Sequence, residues 1–355
     1  MSIEEEAHAA LDSIAKKARV HFYKPIQIAE ILFHHRTEKG WDLKKVESYR
    51  NISKKWRDEV SNKLVGRHST SSQKYQDDVF NATAMPPRLL AVLGEINKKS
   101  GGAVEAYIYE AMQARLASVK QAREYIQHST VDTFSVLDLV SLFVKTPGLK
   151  RSTDKIYEIA VHALFAAIVR ALRAEITLEI KNEDKGILSD FERFIKMVLG
   201  IDARQTKVIM PAALYRVGVT NAADRGLDMW ANFGTAIQVK HLTLTPEVAE
   251  DIVGGIEADR IVIVCRDAER QPIETLLLQL GLQDRVQGII TLSDLHDWYS
   301  LCLGKRYRKK LAKTLLEDLI REFDSEFPSS GEIDPFMKKR GYQKLPFPSG
   351  WKLTS

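Results

Sequence analysis

Three polar side chains have types and spacing that could act together on one reacting group: Asp228, Gln238 and Lys240. They sit in two strand-like runs, LDMWA (227–231) and TAIQVKH (235–241), joined by Asn232-Phe233-Gly234. A three-residue hairpin loop often ends in Gly, because its last position needs a left-handed backbone. If Ala231 faces Thr235, partners across the hairpin share one sum of residue numbers, and Asp228 lies opposite Gln238. Opposed side chains on one face have Cβ atoms about 4.5–5.5 Å apart. Lys240, two residues further on, projects from that same face. Leu227, Met229, Ile237 and Val239 fall on the other face and can join a core.

An acid, a carboxamide and an ammonium on one rigid hairpin suit the hydrolysis of a phosphodiester. A carboxylate holds Mg2+, a hard cation that takes oxygen ligands, and the Gln238 side-chain oxygen is a weaker second ligand. The ion neutralises phosphate charge and acidifies a bound water, while Lys240 can orient that water and stabilise the developing charge. The plain alternative is a cross-strand ion pair between Asp228 and Lys240 on a solvated sheet face. The strongly apolar flanks of both runs favour a cleft over open surface.

These strands need a scaffold. Residues 1–150 read as mainly helical. Pro25 opens PIQIAEILFHH, Ser53 is a candidate N-cap for KKWRDEVSNKLVG, and Gly66 closes that helix. Prolines start MPPRLLAVLGEIN, and a long helix follows the turn at 98–102. RHSTSSQKYQDD reads as a loop. After TPGLKRST the pattern changes: DKIYEIAVHALFAAIVRALRA is a strongly periodic helix. EITLEI, LYRVGV, GLDMWA, TAIQVKHL, RIVIVC and VQGIITL read as strands. SDFERFIKMVLG, PEVAEDIVGGI, PIETLLLQLGL and SDLHDWYSLCLG read as helices between them. The expected architecture is α/β: a mixed sheet flanked by helices over 151–325, a mainly helical region over 1–150, and an extension over 326–355.

Charge and cysteine usage narrow the classes. A net charge of +5 permits a polyanionic partner without requiring one. Cys265 and Cys302 lie in apolar runs with no CxxC or Cys/His cluster, so buried free thiols in a reducing cytoplasm are expected, with neither a disulfide framework nor structural zinc. No apolar run is long enough to span a bilayer, and no membrane partner is expected. Lys54, Lys55, Arg57, Arg67 and His68 form a basic group beside Ser71, Gln73 and Lys74, side chains that contact phosphates and base edges of double-stranded DNA. Lys305–Lys313 holds six basic residues in nine, either a phosphate-contacting helix or a solvated face balanced by later acids. Asp224 is a second candidate ligand or a turn residue, and His241 faces away from Lys240.

The longer blocks RVHFYKPIQIAEIL, SYRNISKKWRDEV, GRHSTSSQKYQDDVFNATAMPP, RVGVTNAADRGLDMWANFG and EFPSS are similar to the HaeII-type restriction endonucleases. In element order the chain also resembles the PD-(D/E)xK nucleases, with ADRGLD at the Asp motif and QVK at the ExK motif. The resemblance implies a type II restriction endonuclease from a bacterial restriction–modification system. It further implies Mg2+-dependent cleavage of a short GC-rich palindrome of the RGCGCY type. Such a target calls for a homodimer. By the same resemblance Glu158, on the helix before the sheet, is an auxiliary acid for the metal; the alternative is a surface Glu favoured near a helix N-terminus. Two other readings compete: a non-catalytic DNA-binding regulator, and a non-specific repair nuclease. Retention of both Asp228 and Lys240 argues against the first, and the large helical N-terminal half against the second.

Overall fold

The computed structural model describes residues 1–70, 72–202, 205–217, 227–240, 258–328 and 331–353. The chain divides into two units. The first holds Met1–Ala160 and Leu316–Ser355, and the second holds Val161–Val217 and the chain from 225 to Leu315.

The first unit is helical. Helix α1 (Ile3–Lys17) begins in a capping box, with Ser2 Oγ accepting from Glu5 N–H and Glu5 accepting from Ser2 N–H. Its acidic first turn and basic last turn complement the helix dipole. Ala7, Leu11 and Ile14 supply its buried stripe. Helix α2 (Tyr23–Thr37) is buried continuously from Pro25 to Leu32, which is the behaviour of a central helix rather than an amphipathic surface one. Around it lie α3 (Arg50–Val65), α4 (Pro87–Lys99) and α5 (Ala103–His128), followed by α6 (Val136–Lys145). Leu11, Ile26, Leu32, Leu90, Tyr107 and Met112 share one core. Each such fully buried aliphatic side chain contributes about 1.5–3 kcal/mol. Phe336, Met337 and Tyr342 enter the same core, so the C-terminal residues pack as part of this unit. Two local expectations change. Ser53 lies inside α3, which starts at Arg50, and a short helix, Gln73–Asp77, interrupts the expected loop.

Two carboxylates are buried at the heart of the first unit. Glu105 accepts from Arg36 Nε and Nη2 at 2.9 Å each, from Asn97 at 2.6 Å and from the Tyr342 hydroxyl at 2.6 Å. Glu30 accepts from Tyr109 at 2.6 Å and from Arg340 at 3.0 Å. Burial pushes Glu30 upward, opposed by Arg340 and by the Tyr109 bond. The Glu105 bond raises Arg36.

The second unit is built on sheets. Helix α7 (Thr153–Leu172) leads into β1 (Glu175–Glu179), which pairs antiparallel with β2 (Lys207–Pro211). Strand β2 escaped the sequence reading. Between them run the helical turns Lys185–Asp190 and Glu192–Phe194, continued by a π turn at Ile195–Leu199. A five-stranded mixed sheet follows in the order β3 (Leu214–Arg216), β4 (Met229–Ala231), β5 (Thr235–Lys240), β6 (Arg260–Cys265) and β7 (Val286–Thr291). Strands β3–β5 form an antiparallel meander, and β5–β7 run parallel. The central parallel strand β6 is apolar on both faces beyond Arg260, hence the continuous run RIVIVC. Helix α8 (Arg270–Gln279) sets Ile273 and Leu277 against Ala236, Ile261, Ile263 and Cys265. Helix α9 (Leu292–Leu303) starts in a capping box of Thr291 and Asp294. Helix α10 (Arg308–Glu326) carries part of the basic run of 305–313; its residues from Leu316 on, and α11 (Ile333–Arg340), are counted in the first unit. The expected helix PEVAEDIVGGI lies outside the described residues.

The hairpin between β4 and β5 turns on Gly234. Its φ of 86° is left-handed, so the backbone favours glycine there, while an added Cβ would press on the Asp259 side chain, which can move.

Candidate active site

The pairing Met229↔Ile237 and Trp230↔Ala236 carries the hairpin register onward to Asp228 opposite Gln238. The side chains meet: Gln238 Nε2 donates to Asp228 Oδ2 at 2.5 Å, and the Val239 N–H donates to the same oxygen at 2.8 Å. These bonds fix the carboxylate against the edge of β5. Lys240 shares the face of Gln238 by strand alternation. The opposite face carries Met229, Ile237 and Val239, all buried. Leu227, expected with them, packs instead against the cluster of Ala236, Ile261 and Ile263, because the chain is not yet paired at that point.

Gln238 is 1% exposed, and its Oε1 is buried without a hydrogen-bond partner among the described residues. An unused carbonyl lone pair inside a protein costs roughly 1–3 kcal/mol. Its amide group is oriented by donation to Asp228, so an oxygen acceptor sits beside a carboxylate with nothing to accept from. That donor set, two hard oxygens, is of the kind that would suit a magnesium ion. No group of three or more His, Cys, Asp or Glu able to hold a metal occurs among the described residues. The Asp228–Lys240 ion pair is also absent: among the described residues the Lys240 ammonium has no carboxylate partner within 4.0 Å.

One feature of this face was not read from the sequence. Tyr215 and Trp230 pair across β3 and β4 and stack at 4.5 Å between centroids, both about half exposed. Trp230 is two residues from Asp228 and shares its face. The signal available was the Asp-x-Trp alternation itself.

Other candidates are placed differently. Glu158 is 3% exposed, and both carboxylate oxygens accept from Lys155 Nζ at 2.7–2.8 Å. A metal role would require it to exchange that partner. It belongs to the first unit, whereas Asp228, Gln238 and Lys240 belong to the second. Arg57 corrects the surface expectation. It is 2% exposed, donates to Gln27 Oε1 at 3.2 Å and to Asp58 at 2.6–2.9 Å, and therefore faces the interior. Lys54 is half-buried and pairs with Asp77 at 2.7 Å. Lys55 and His68 are exposed, and Arg67 donates to the Ser325 carbonyl at 2.5 Å. Ser71, Asp224 and His241 lie outside the described residues, and Gln73 and Lys74 are described only as helix backbone. Cys265 and Cys302 are buried and unbridged, and burial pushes the Cys265 thiol up to about 11. Among the described residues no helix is long and apolar enough to cross a membrane.

Comparison with known proteins adds a second line. The model of the HaeII restriction endonuclease family matches residues 7–342. The type II restriction enzyme HaeII of Haemophilus aegyptius is 47% identical over 340 residues, covering 95% of this chain and 97% of that protein. The type II restriction enzyme NgoBI of Neisseria gonorrhoeae is 46% identical over 342 residues, covering 96% and 97%. No solved structure matches.

Proposed function

Since the chain belongs to the HaeII restriction endonuclease family, a site-specific type II deoxyribonuclease, we propose that its cleavage centre is the Asp228–Gln238–Lys240 face of the β4–β5 hairpin. The observation that carries this reading is the Gln238 side chain, tied to Asp228 by its N–H while its buried oxygen has no hydrogen-bond partner among the described residues. A magnesium ion would be held by the Asp228 carboxylate and Gln238 Oε1, and when bound would neutralise phosphate charge and acidify a water. Gln238 and the Val239 N–H orient the carboxylate before substrate arrives. Lys240, which has no carboxylate partner among the described residues, would donate to phosphate oxygens as negative charge grows on them and hold the attacking water. Water adds to phosphorus, and the bond to the leaving oxygen breaks.

In this reading the core is a PD-(D/E)xK nuclease with Gln in place of the commoner Glu. The target is a GC-rich palindrome of the RGCGCY type, as the family resemblance implies, and two copies act together so that each cuts one strand. Lys54, Lys55, Arg67, Ser71, Gln73 and Lys74 are proposed to contact double-stranded DNA, and Arg57 is left out because it is buried.

The test is plasmid digestion with magnesium by the wild type, Asp228→Ala and Lys240→Ala. Discrete fragments from the wild type and intact plasmid from both variants are expected. A smear would remove site specificity, and cutting by Asp228→Ala would remove this site assignment.

A further inference from the structure

The basic run of 305–313 had two readings in the sequence, and the structure separates them. From Trp298 to Leu316 the chain has six basic residues and no acidic one. Without those six, the chain's 52 Lys and Arg fall to 46 against 47 Asp and Glu, so the rest of the protein is one charge negative. Local bonds fix the stretch in place. The Gly304 carbonyl accepts from the Tyr307 N–H at 3.1 Å and from the Arg308 N–H at 2.9 Å. Arg308 Nε donates to the Leu303 carbonyl at 3.2 Å, which ties the start of α10 to the end of α9. Ala312 and Leu315 are buried, while Lys305, Arg306, Lys309 and Lys310 are exposed. The bond from Arg308 to Gly304 extends the helical path over the turn, so spacings of four, 305 to 309 and 306 to 310, bring these cations to one side.

The later acids do not balance this side. Asp318 and Glu322 pair with Arg321 at 2.6 and 3.9 Å, and Asp324 pairs with Arg123 at 2.7 Å. Among the described residues none of the four cations has a carboxylate within 4.0 Å, and the contact of Arg306 is with the Tyr307 ring. Lys309 and Lys310 also fall in the first turn of α10, where the helix dipole disfavours cations, so local helix stability does not account for them. Four neighbouring like charges repel one another until an anion of matching extent covers them. Duplex DNA carries one negative charge per about 1.7 Å, and each phosphate neutralised releases counterions. The four side chains are three Lys and one Arg, with no Asn, Gln, Asp or Glu from 304 to 313 to read adenine or cytosine. Contact with phosphates, which carry no sequence information, is what such a set supplies.

We propose that Lys305, Arg306, Lys309 and Lys310 form a phosphate-binding face by which the second unit holds duplex DNA of any sequence. It rests on the family's action on DNA, and not on the cleavage centre assigned to Asp228.

Fluorescence anisotropy of the full chain tests it, over a range of salt and with magnesium chelated. The probes are two labelled duplexes of equal length, one holding a sequence that the wild type cuts and one without it. Lys305→Ala/Arg306→Ala/Lys309→Ala/Lys310→Ala should keep the circular dichroism spectrum of the wild type. It should bind both duplexes about 10-fold or more weakly near physiological salt, with the slope of log K against log salt reduced by about 2–4. If that variant misfolds, Lys309→Gln/Lys310→Gln should reduce the slope by about 1–2. A wild-type slope in a folded variant overturns the proposal. A loss confined to the cleavable duplex does so too, since it would make the face a reader of bases. So does a folded variant that binds DNA normally but no longer binds phosphatidylserine vesicles that the wild type holds, which would give the face to a membrane. Binding is read here without cutting, so a failed plasmid digestion and an unchanged salt slope each defeat only their own claim.

Discussion

Two buried polar networks, one in each unit, are organised in opposite ways. In the first, Glu30 and Glu105 are each held by an arginine and a tyrosine, and Glu105 also by Asn97, so every named acceptor is engaged. In the second, Gln238 gives its N–H to Asp228 and keeps an idle oxygen, and Lys240 has no anion among the described residues. A saturated network has no capacity left for a ligand and serves to fix one packing arrangement. An unsaturated one stores desolvation cost that a ligand can relieve, which is the state expected of a site awaiting cation and phosphate.

That contrast can be broken by mutation. Asp228→Ala should lower cleavage at least about 1,000-fold, beyond the loss of a single transition-state donor, with a loss of stability by calorimetry no larger than the roughly 1–3 kcal/mol of orphaning the Gln238 amide. Glu105→Ala should do the reverse. It takes the acceptor from the buried Asn97 and Tyr342 as well as from the partly exposed Arg36, and at roughly 1–3 kcal/mol per orphaned buried donor should cost about 3–5 kcal/mol in urea unfolding, while the protein that stays folded still cuts. If the two variants showed the same loss of stability, the distinction between the networks would collapse. Lys240→Ala should reduce kcat by roughly 100-fold or more with little change in DNA binding by fluorescence anisotropy. Gln238→Leu, similar in volume but without the oxygen, should raise the magnesium concentration for half-maximal cleavage by about 10-fold or more, and Gln238→Glu should lower it.

A smaller effect sharpens the comparison from the helical side. His21 is buried with its Nε2 unpartnered among the described residues, and desolvation, aided by Arg67 and Arg19, lowers its pKa to about 4. The neutral form is favoured in the folded state, so the unfolded chain binds the proton first. Stability from this group is present above the ordinary pKa of about 6.5 and is lost as pH falls from there toward 4. The amount is on the order of 3 kcal/mol. Urea unfolding at pH 7 and pH 4.5 should therefore show a smaller acid loss for His21→Phe than for wild type; equal losses would remove His21 as the cause.

The hairpin was legible in the sequence because its information is local. Asn232-Phe233-Gly234 sets the turn, the turn sets the register, and the register brings Asp228 to Gln238. The parallel strands were legible as apolar runs, and α7 from its periodicity. What the sequence hid depends on distant partners. Arg57 reads as a surface cation until Gln27, thirty residues away, receives it inside the core. Strand β2 has no buried face, since Lys207, Ile209 and Pro211 are exposed, so its only pattern comes from pairing with β1. Tyr215 and Trp230 become a stacked pair only when β3 is laid beside β4.

The reach of Gly234 is longer than its size suggests. Side chains on a strand alternate faces, so adding or deleting one residue in the Asn232–Gly234 connection would turn Asp228 away from Gln238 and present Leu227 or Met229 in its place. The connection is thus a length gauge for the reacting groups. Substitutions around the hairpin can be tolerated as long as the residue count of this bend stays at three.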